Sequence, residues 1–196
     1  EKTYARSDLN AGAQRLESQL QRELASRPRS PAELRKEADA ALTAKDARVH
    51  AQRLGEIAVH TEKDAALWLR YARALGEISP SNAAERNIIR DRTAAAAYIA
   101  YRRTSDRRVE GEALEIIGRV YANRELWRPA LDTLKLALER RDSPELKSFY
   151  ENLRDTHGFR VLDYSVDADV AAPRACIQFS DPLAQKVDFA PFISVQ

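Results

Sequence analysis

Three histidines, one cysteine and several arginine clusters are the residues whose types could do chemistry in this sequence. His50 and His60 fall on one predicted helix at a spacing that turns them onto different faces, and His157 lies far downstream. No two histidines sit at the three- or four-residue step that would let both hold one ion, so no metal site is expected. They read as solvent-facing or half-buried side chains. Cys176 lies in the middle of a predicted strand. A reactive thiol needs a nearby cation and exposure. Alternation instead places Ala175, Ile177 and Phe179 on one face and Cys176 with Gln178 on the other, so an inert, partly buried thiol is expected. A single cysteine excludes an internal disulfide framework and a multi-thiolate cluster. The six glycines form neither a phosphate-binding loop nor a dinucleotide fingerprint, and no Gly-x-Ser-x-Gly elbow is present. No cofactor and no catalytic activity are expected.

Arginines cluster as Arg102, Arg103, Arg107 and Arg108, as Arg86, Arg90 and Arg92, and as Arg140 and Arg141. Asp91, Asp106, Glu110, Glu139 and Asp142 interleave with them. That pattern predicts solvated helix faces with pairs at four-residue steps. The 32 Lys and Arg against 30 Asp and Glu leave a formal net charge of only +2 across 196 residues, which is no footprint of a nucleic-acid binder. No apolar run approaches the ~20 residues that span a bilayer, so no direct membrane insertion is expected. With no Met present, the chain is expected to be a piece of a longer protein.

The elements that carry these residues are mostly helical. In Glu110–Arg141, Leu114, Ile117, Gly118 and Tyr121 repeat at one-face helical spacing, a polar turn follows at Asn123–Glu125, and Ala130, Leu134 and Ala137 continue on a second helix. Small residues at Gly118, Ala130 and Ala137 would let two helices approach closely, the signature of a tetratricopeptide unit. Trp68, Tyr71, Ala72 and Leu75 form a weaker copy, whose return helix is delayed by an insertion from Ser79 to about Asp91 that opens with a turn and a new cap at "SPSN". A degenerate copy starts near Pro31, with Asp39 and Leu42 at the Gly118 and Tyr121 positions. Leu9, Leu16, Leu20 and Leu24 mark an opening helix expected to cap the first repeat, and Leu146, Phe149, Tyr150 and Leu153 mark a closing one.

The expected fold is therefore mainly α: a tetratricopeptide-like α-solenoid over residues 1–157, with repeats at about 31–60, 64–105 and 110–141. After Gly158, a natural C′ residue, the texture turns β. The runs Phe159–Val166, Arg174–Phe179 and Phe192–Val195, punctuated by Pro173, Pro182 and Pro191, predict the first strands of a truncated antiparallel β-sandwich over residues 158–196.

Stacked pairs would present a groove lined by the first helix of each pair. Projected offsets put Arg73, Glu77, Glu112, Glu115, Arg119 and Asn123 there, a candidate protein-binding surface. The clamp for a C-terminal carboxylate found in chaperone-binding tetratricopeptide domains falls here on Lys36, Ala40, Leu69 and Arg73, which departs from its basic-and-Asn pattern.

The junction "RDTHGFRVLDYSVDADVAAPRACIQFSDPL", Arg154–Leu183, resembles the large bacterial alpha-2-macroglobulin-like proteins where an N-terminal helical region meets the first macroglobulin-type domain. Glu125–Glu145 is similar to the last helix pair of that region, and Ala5–Leu24 to its opening helix. The resemblance implies a periplasmic or cell-envelope parent that traps proteases, with other domains of the parent or an envelope protein as partners. Cys176–Phe179 is not the Cys-Gly-Glu-Gln thioester motif of some members, so the trapping chemistry is expected outside this chain, which would be a non-catalytic scaffold or docking module. The alternative from the repeats alone is a self-standing adaptor that holds a peptide through Arg119 and Asn123.

Overall fold

The computed structural model of the chain describes residues 4–61, 63–167, 174–183, 185, 187–189 and 191. Among them stand eight helices: α1 (Ser7–Ser26), α2 (Pro31–Thr43), α3 (Ala47–His60), α4 (Ala65–Gly76), α5 (Ala83–Arg103), α6 (Arg107–Ala122), α7 (Trp127–Arg140) and α8 (Pro144–His157). Two strands follow, β1 (Val161–Asp167) and β2 (Arg174–Phe179), in one antiparallel pair. The chain divides into two compact units, Glu1–Glu151 and Asn152–Gln196. The predicted strand Phe192–Val195 and Pro173 lie outside the described residues.

Side-chain caps start most of the helices. Ser30, Asp46, Asp64, Asn82 and Asp106 each accept a backbone N–H two or three residues on, relieving the donors a helix start leaves unpaired. Ser30 is half of a reciprocal box: the Glu33 N–H donates to Ser30 Oγ at 3.2 Å, and the Ser30 N–H donates to Glu33 Oε2 at 2.8 Å. The cap at Asn82 agrees with the "SPSN" reading. The inserted residues do not form a separate element, however. They lengthen α5 at its N-terminus into one continuous helix.

In the first unit, α2 packs on α3, α4 on α5 and α6 on α7, with further contacts of α3 on α4 and α5 on α6. Gly118 faces α7, where an added Cβ would come within 2.6 Å of Leu134, so only glycine permits that approach. Residues Thr93–Tyr101 are buried on every side of α5, a pattern that needs neighbours all round. One of them is α1. The sequence leads us to expect α1 at the end of the first pair. It lies instead along α5 and α3. Gly12 and Ala95 supply a small-on-small crossing, and Gly55 leaves room for Leu20 and the Tyr71 ring. Leu9, Ala13, Leu16 and Leu20 are the buried stripe of α1, while Leu24 is only half-buried.

The first-pair register is off by one from its sequence reading. Leu34, Ala38 and Ala41 are buried on α2, whereas Asp39 is exposed and Leu42 is 55% exposed. The physical cause is the α2–α3 turn. Lys45 sits in the left-handed region at φ 57°, the Asp46 N–H donates to Ala41 O at 2.9 Å, and the Lys45 N–H donates to Leu42 O at 3.1 Å. That geometry fixes which face of α2 meets α3.

The second unit begins inside α8, which ends at His157. Gly158 does not take the left-handed conformation expected of a C′ glycine. Its N–H donates to Arg154 O at 2.7 Å, and any Cβ there would run into that carbonyl. β1 and β2 pair Tyr164 with Ile177, Ser165 with Cys176 and Val166 with Ala175, with an irregularity near Leu162. Alternation gives one face Tyr164, Val166, Ala175 and Ile177, and the other Asp163, Ser165, Cys176 and Gln178. Tyr164 is 74% exposed, and Phe159 stacks on Phe179 at 5.1 Å. Cys176 is exposed rather than partly buried, because nothing among the described residues covers its face.

Candidate functional site

The six groove residues read from the sequence fall into two groups. Arg73, Glu112, Glu115 and Arg119 meet on one surface of α4 and α6. Asp106 caps α6 by accepting the Arg108 N–H at 2.8 Å. That start sets Arg108, Glu112, Glu115 and Arg119 on neighbouring turns of one face. Gly111 lets the end of α7 pass close by, since a Cβ there would stand 2.8 Å from Arg141 Cβ and 3.3 Å from Ala137 O. Arg141, the cap residue of α7, is thereby delivered to the carboxylates of α6.

Glu112 is the hub. It pairs with Arg73 of α4, with Arg108 Nε at 3.3 Å and with Arg141 at 3.7 Å. Glu115 pairs with Arg141 and with Arg119 Nε at 2.9 Å. The Arg119 guanidinium also covers the Phe149 ring at 4.2 Å, a cation–π contact. Four guanidinium groups thus converge on two carboxylates, and the surface keeps a positive surplus. Arg73 and Arg108 project furthest into solvent.

Glu77 and Asn123 lie apart from this network. Glu77 is the exposed cap residue of α4 and lines a cavity of about 180 Å³ with Leu42, Lys45, Asp46 and His50. Asn123 is the exposed cap residue of α6, its N–H donating to Arg119 O at 2.9 Å. Sequence reasoning missed Arg141 and Phe149 as members of the surface. The seven-residue step from Gly111 to Gly118 was the available signal, because two glycines at that spacing mark a whole α6 face on which α7 lies close.

Most of the other arginines reach across helices rather than along them. Arg103 pairs with Glu17 of α1 and lies 5.4 Å over the Trp68 ring. Arg124 pairs with Asp91 at 2.5 Å, Arg140 with Glu110 at 3.0 Å, and Arg107 donates to Glu139 O at 2.8 Å. The predicted four-residue pairs are present at Arg108–Glu112 and Glu115–Arg119. Glu56, buried on α3, is held by Arg29 at 2.7 Å and Arg53 at 3.1 Å.

Two of the three histidines are backbone anchors. His50 is buried and donates from Nδ1 to Ala38 O at 3.0 Å, and His60, exposed, donates from Nε2 to Arg29 O at 3.1 Å. Among the described residues no three His, Cys, Asp or Glu stand together as a metal would require, and no helix is long and apolar enough to cross a membrane. The arrangement at Glu112 and Glu115 binds charge and holds helices together. It offers neither a nucleophile beside a base nor a cofactor cradle.

No protein-family model matches the chain, and no curated protein sequence matches it either.

Proposed function

We propose that this chain is a non-catalytic scaffold and protein-interaction module at the N-terminus of a bacterial alpha-2-macroglobulin-like envelope protein. Tetratricopeptide-like helix pairs lead into the first macroglobulin-type β domain, and the protease-trapping chemistry lies in other parts of the parent. The observation that carries this reading is the passage from helix to sheet. α8 ends at His157, and within a few residues the chain enters a strand pair whose apolar face, Tyr164 to Ile177, is bare among the described residues. A two-stranded sheet with a bare apolar face has little stability of its own. Further strands of a larger β domain would cover it.

The helix pairs support the tetratricopeptide part of the reading. The α6–α7 turn repeats two backbone bonds of the α2–α3 turn and its left-handed residue. Glu125 at φ 59° stands where Lys45 does, the Leu126 N–H donates to Tyr121 O at 3.0 Å, and the Glu125 N–H donates to Ala122 O at 2.9 Å. Counting from the corrected register, Ala38 and Ala72 are one period of roughly 34 residues apart. The adaptor reading is less well supported, because Arg119, which would hold its peptide, is already engaged by Glu115 and Phe149.

The test is the polypeptide encoded after Gln196 in the native gene. Several β-sandwich domains are expected there, together with recovery of the product from the envelope fraction. A stop codon shortly after Gln196 overturns the proposal.

A further inference from the structure

α1 touches all three helix pairs. Toward its end, Leu20 lies over Gly55 of α3, in the first pair, where an added Cβ would stand 3.1 Å from it. In its middle, Gly12 faces Ala95 of α5, in the second pair, and two α5 arginines hold α1 from the side: Arg102 donates to Asn10 Oδ1 at 2.7 Å and Arg103 pairs with Glu17. At its start it meets the third pair. The Tyr121 hydroxyl of α6 donates to Asp8 Oδ2 at 3.0 Å, the Arg6 guanidinium lies 4.9 Å over the Tyr121 ring, and the Tyr4 hydroxyl reaches Thr133 of α7.

The pairs themselves pack in order. α3 meets α4 and α5 meets α6, and no helix of the first pair packs on one of the third among the described residues. In an array held by nearest-neighbour contacts, small changes at each junction add up along its length. A capping helix would add one more contact of that kind. α1 instead joins pairs that are not neighbours.

It also has no slack. A helix rises 1.5 Å per residue and its backbone hydrogen bonds resist stretching, so Asp8 and Leu20 are held about 18 Å apart. Leu9, Ala13, Leu16 and Leu20 are buried, and the helix lies on α3 and α5. Just beyond its end, Arg29 donates to Glu37 at 2.8 Å and to both Glu56 oxygens at 2.9 and 2.7 Å, and its carbonyl accepts from His60 Nε2 at 3.1 Å. That end cannot slide.

We infer that α1 is a strap that fixes the angle between the first and third pairs and is closed by Tyr4 and Asp8. With both ends anchored and a stiff rod between them, a bend that carries α6 and α7 away from α3 must break one anchorage. The Tyr4 and Asp8 end is the one that opens, because it rests on a few polar contacts, whereas Leu20 is 2% exposed and backed by the Arg29 ties. Opening lets the third pair swing at its junction with the second and carries Glu112 and Glu115 of α6 with it.

The test is a spin-label distance measurement in the complete 196-residue chain. With Cys176→Ser in place, labels go on Lys36→Cys of α2 and Lys135→Cys of α7, both exposed positions. A control set, Asn123→Cys with Lys135→Cys, lies within the third pair. One narrow Lys36–Lys135 distance is expected. Tyr4→Phe combined with Asp8→Ala should widen its distribution about twofold, with the Asn123–Lys135 distance unchanged. Tyr4→Phe alone removes a single oxygen and should widen it less, which carries the test where the double variant does not fold. A distribution already broad in the unaltered protein, one that stays narrow in every folded variant, or equal widening of the control distance overturns the inference.

Discussion

The Tyr4 hydroxyl meets Thr133 Oγ1 at 2.9 Å, joining residues 129 positions apart in the sequence. Thr133 donates its own proton to Pro129 O at 2.7 Å, which leaves Tyr4 as the donor in this pair. The bond ties the start of α1 to α7, and the Tyr4 ring lies edge-on to Tyr101 at 5.8 Å.

Because both oxygens are buried, they should be coupled. Tyr4→Phe and Thr133→Val are each expected to destabilise the chain. The double variant should lose about 0.5–1.5 kcal/mol less than the two singles combined. Urea unfolding of the four proteins reads this directly, and additive losses would show that the bond contributes nothing.

The two matching turns make a second prediction. Lys45 and Glu125 hold left-handed conformations that cost a side-chain-bearing residue energy and a glycine little. Lys45→Gly and Glu125→Gly should each stabilise the chain by roughly 1 kcal/mol, seen as a rise in the thermal midpoint. A fall at either site would mean that its side chain matters more than its backbone.

Glu112→Gln removes the charge that three guanidinium groups share. Arg73, Arg108 and Arg141 would then repel one another across α4, α6 and α7. A loss of about 1 kcal/mol is expected in dilute buffer, discounted for the exposure of Arg73 and Arg108. In 1 M salt, where charges are screened within about 3 Å, most of that loss should vanish. A loss independent of salt would assign Glu112 a packing role instead.

Alkaline pH gives a fourth. Burial pushes the Tyr71 phenol up to about 12, with Arg92 opposing and Glu23 adding to the rise. Burial, the neighbouring Tyr4 and the hydrogen bond to Asp8 also raise Tyr121. An unfolded tyrosine titrates near 10. Between these values the unfolded chain loses a proton that the folded chain keeps. Stability is therefore fully present below about pH 10 and falls as pH rises toward 12. Denaturant midpoints measured from pH 9 to 11.5 should decline, and Tyr71→Phe should flatten part of the decline. An identical slope in that variant would remove Tyr71 from the account.

How far the sequence reaches can be followed through single residues. Gly118, Ala130, Leu134 and Ala137 declare the α6–α7 contact because small residues at helical spacing leave few other uses. The mainly helical fold, the turn into α5 at Asn82 and the strand Arg174–Phe179 follow from similar local signals. The α2 register does not, because Ala38 and Ala41 are weakly apolar and Leu42 outbids them on hydrophobicity alone. The turn at Lys45, which decides the face, carries no glycine to announce it. At the Glu112 surface, Arg73 on α4 and Glu115 and Arg119 on α6 are each legible from periodicity within their own helix. Arg141 is not, since it arrives from α7 through an approach that depends on Gly111. Local patterns report what one helix presents, while the arrangement of charges is settled by how closely its neighbour passes.

The course of α1 also bears on how the chain is made. It leaves the ribosome before the other seven described helices, yet the surfaces that cover Leu9, Leu16 and Leu20 belong to α3 and α5, and the partner of Tyr4 comes with α7. Until most of the helical unit has been synthesised, that stripe has nowhere native to go. Pairs such as α2–α3 can close as they emerge, whereas α1 must wait and then dock over a long loop. Until then its apolar stripe is exposed to aggregation.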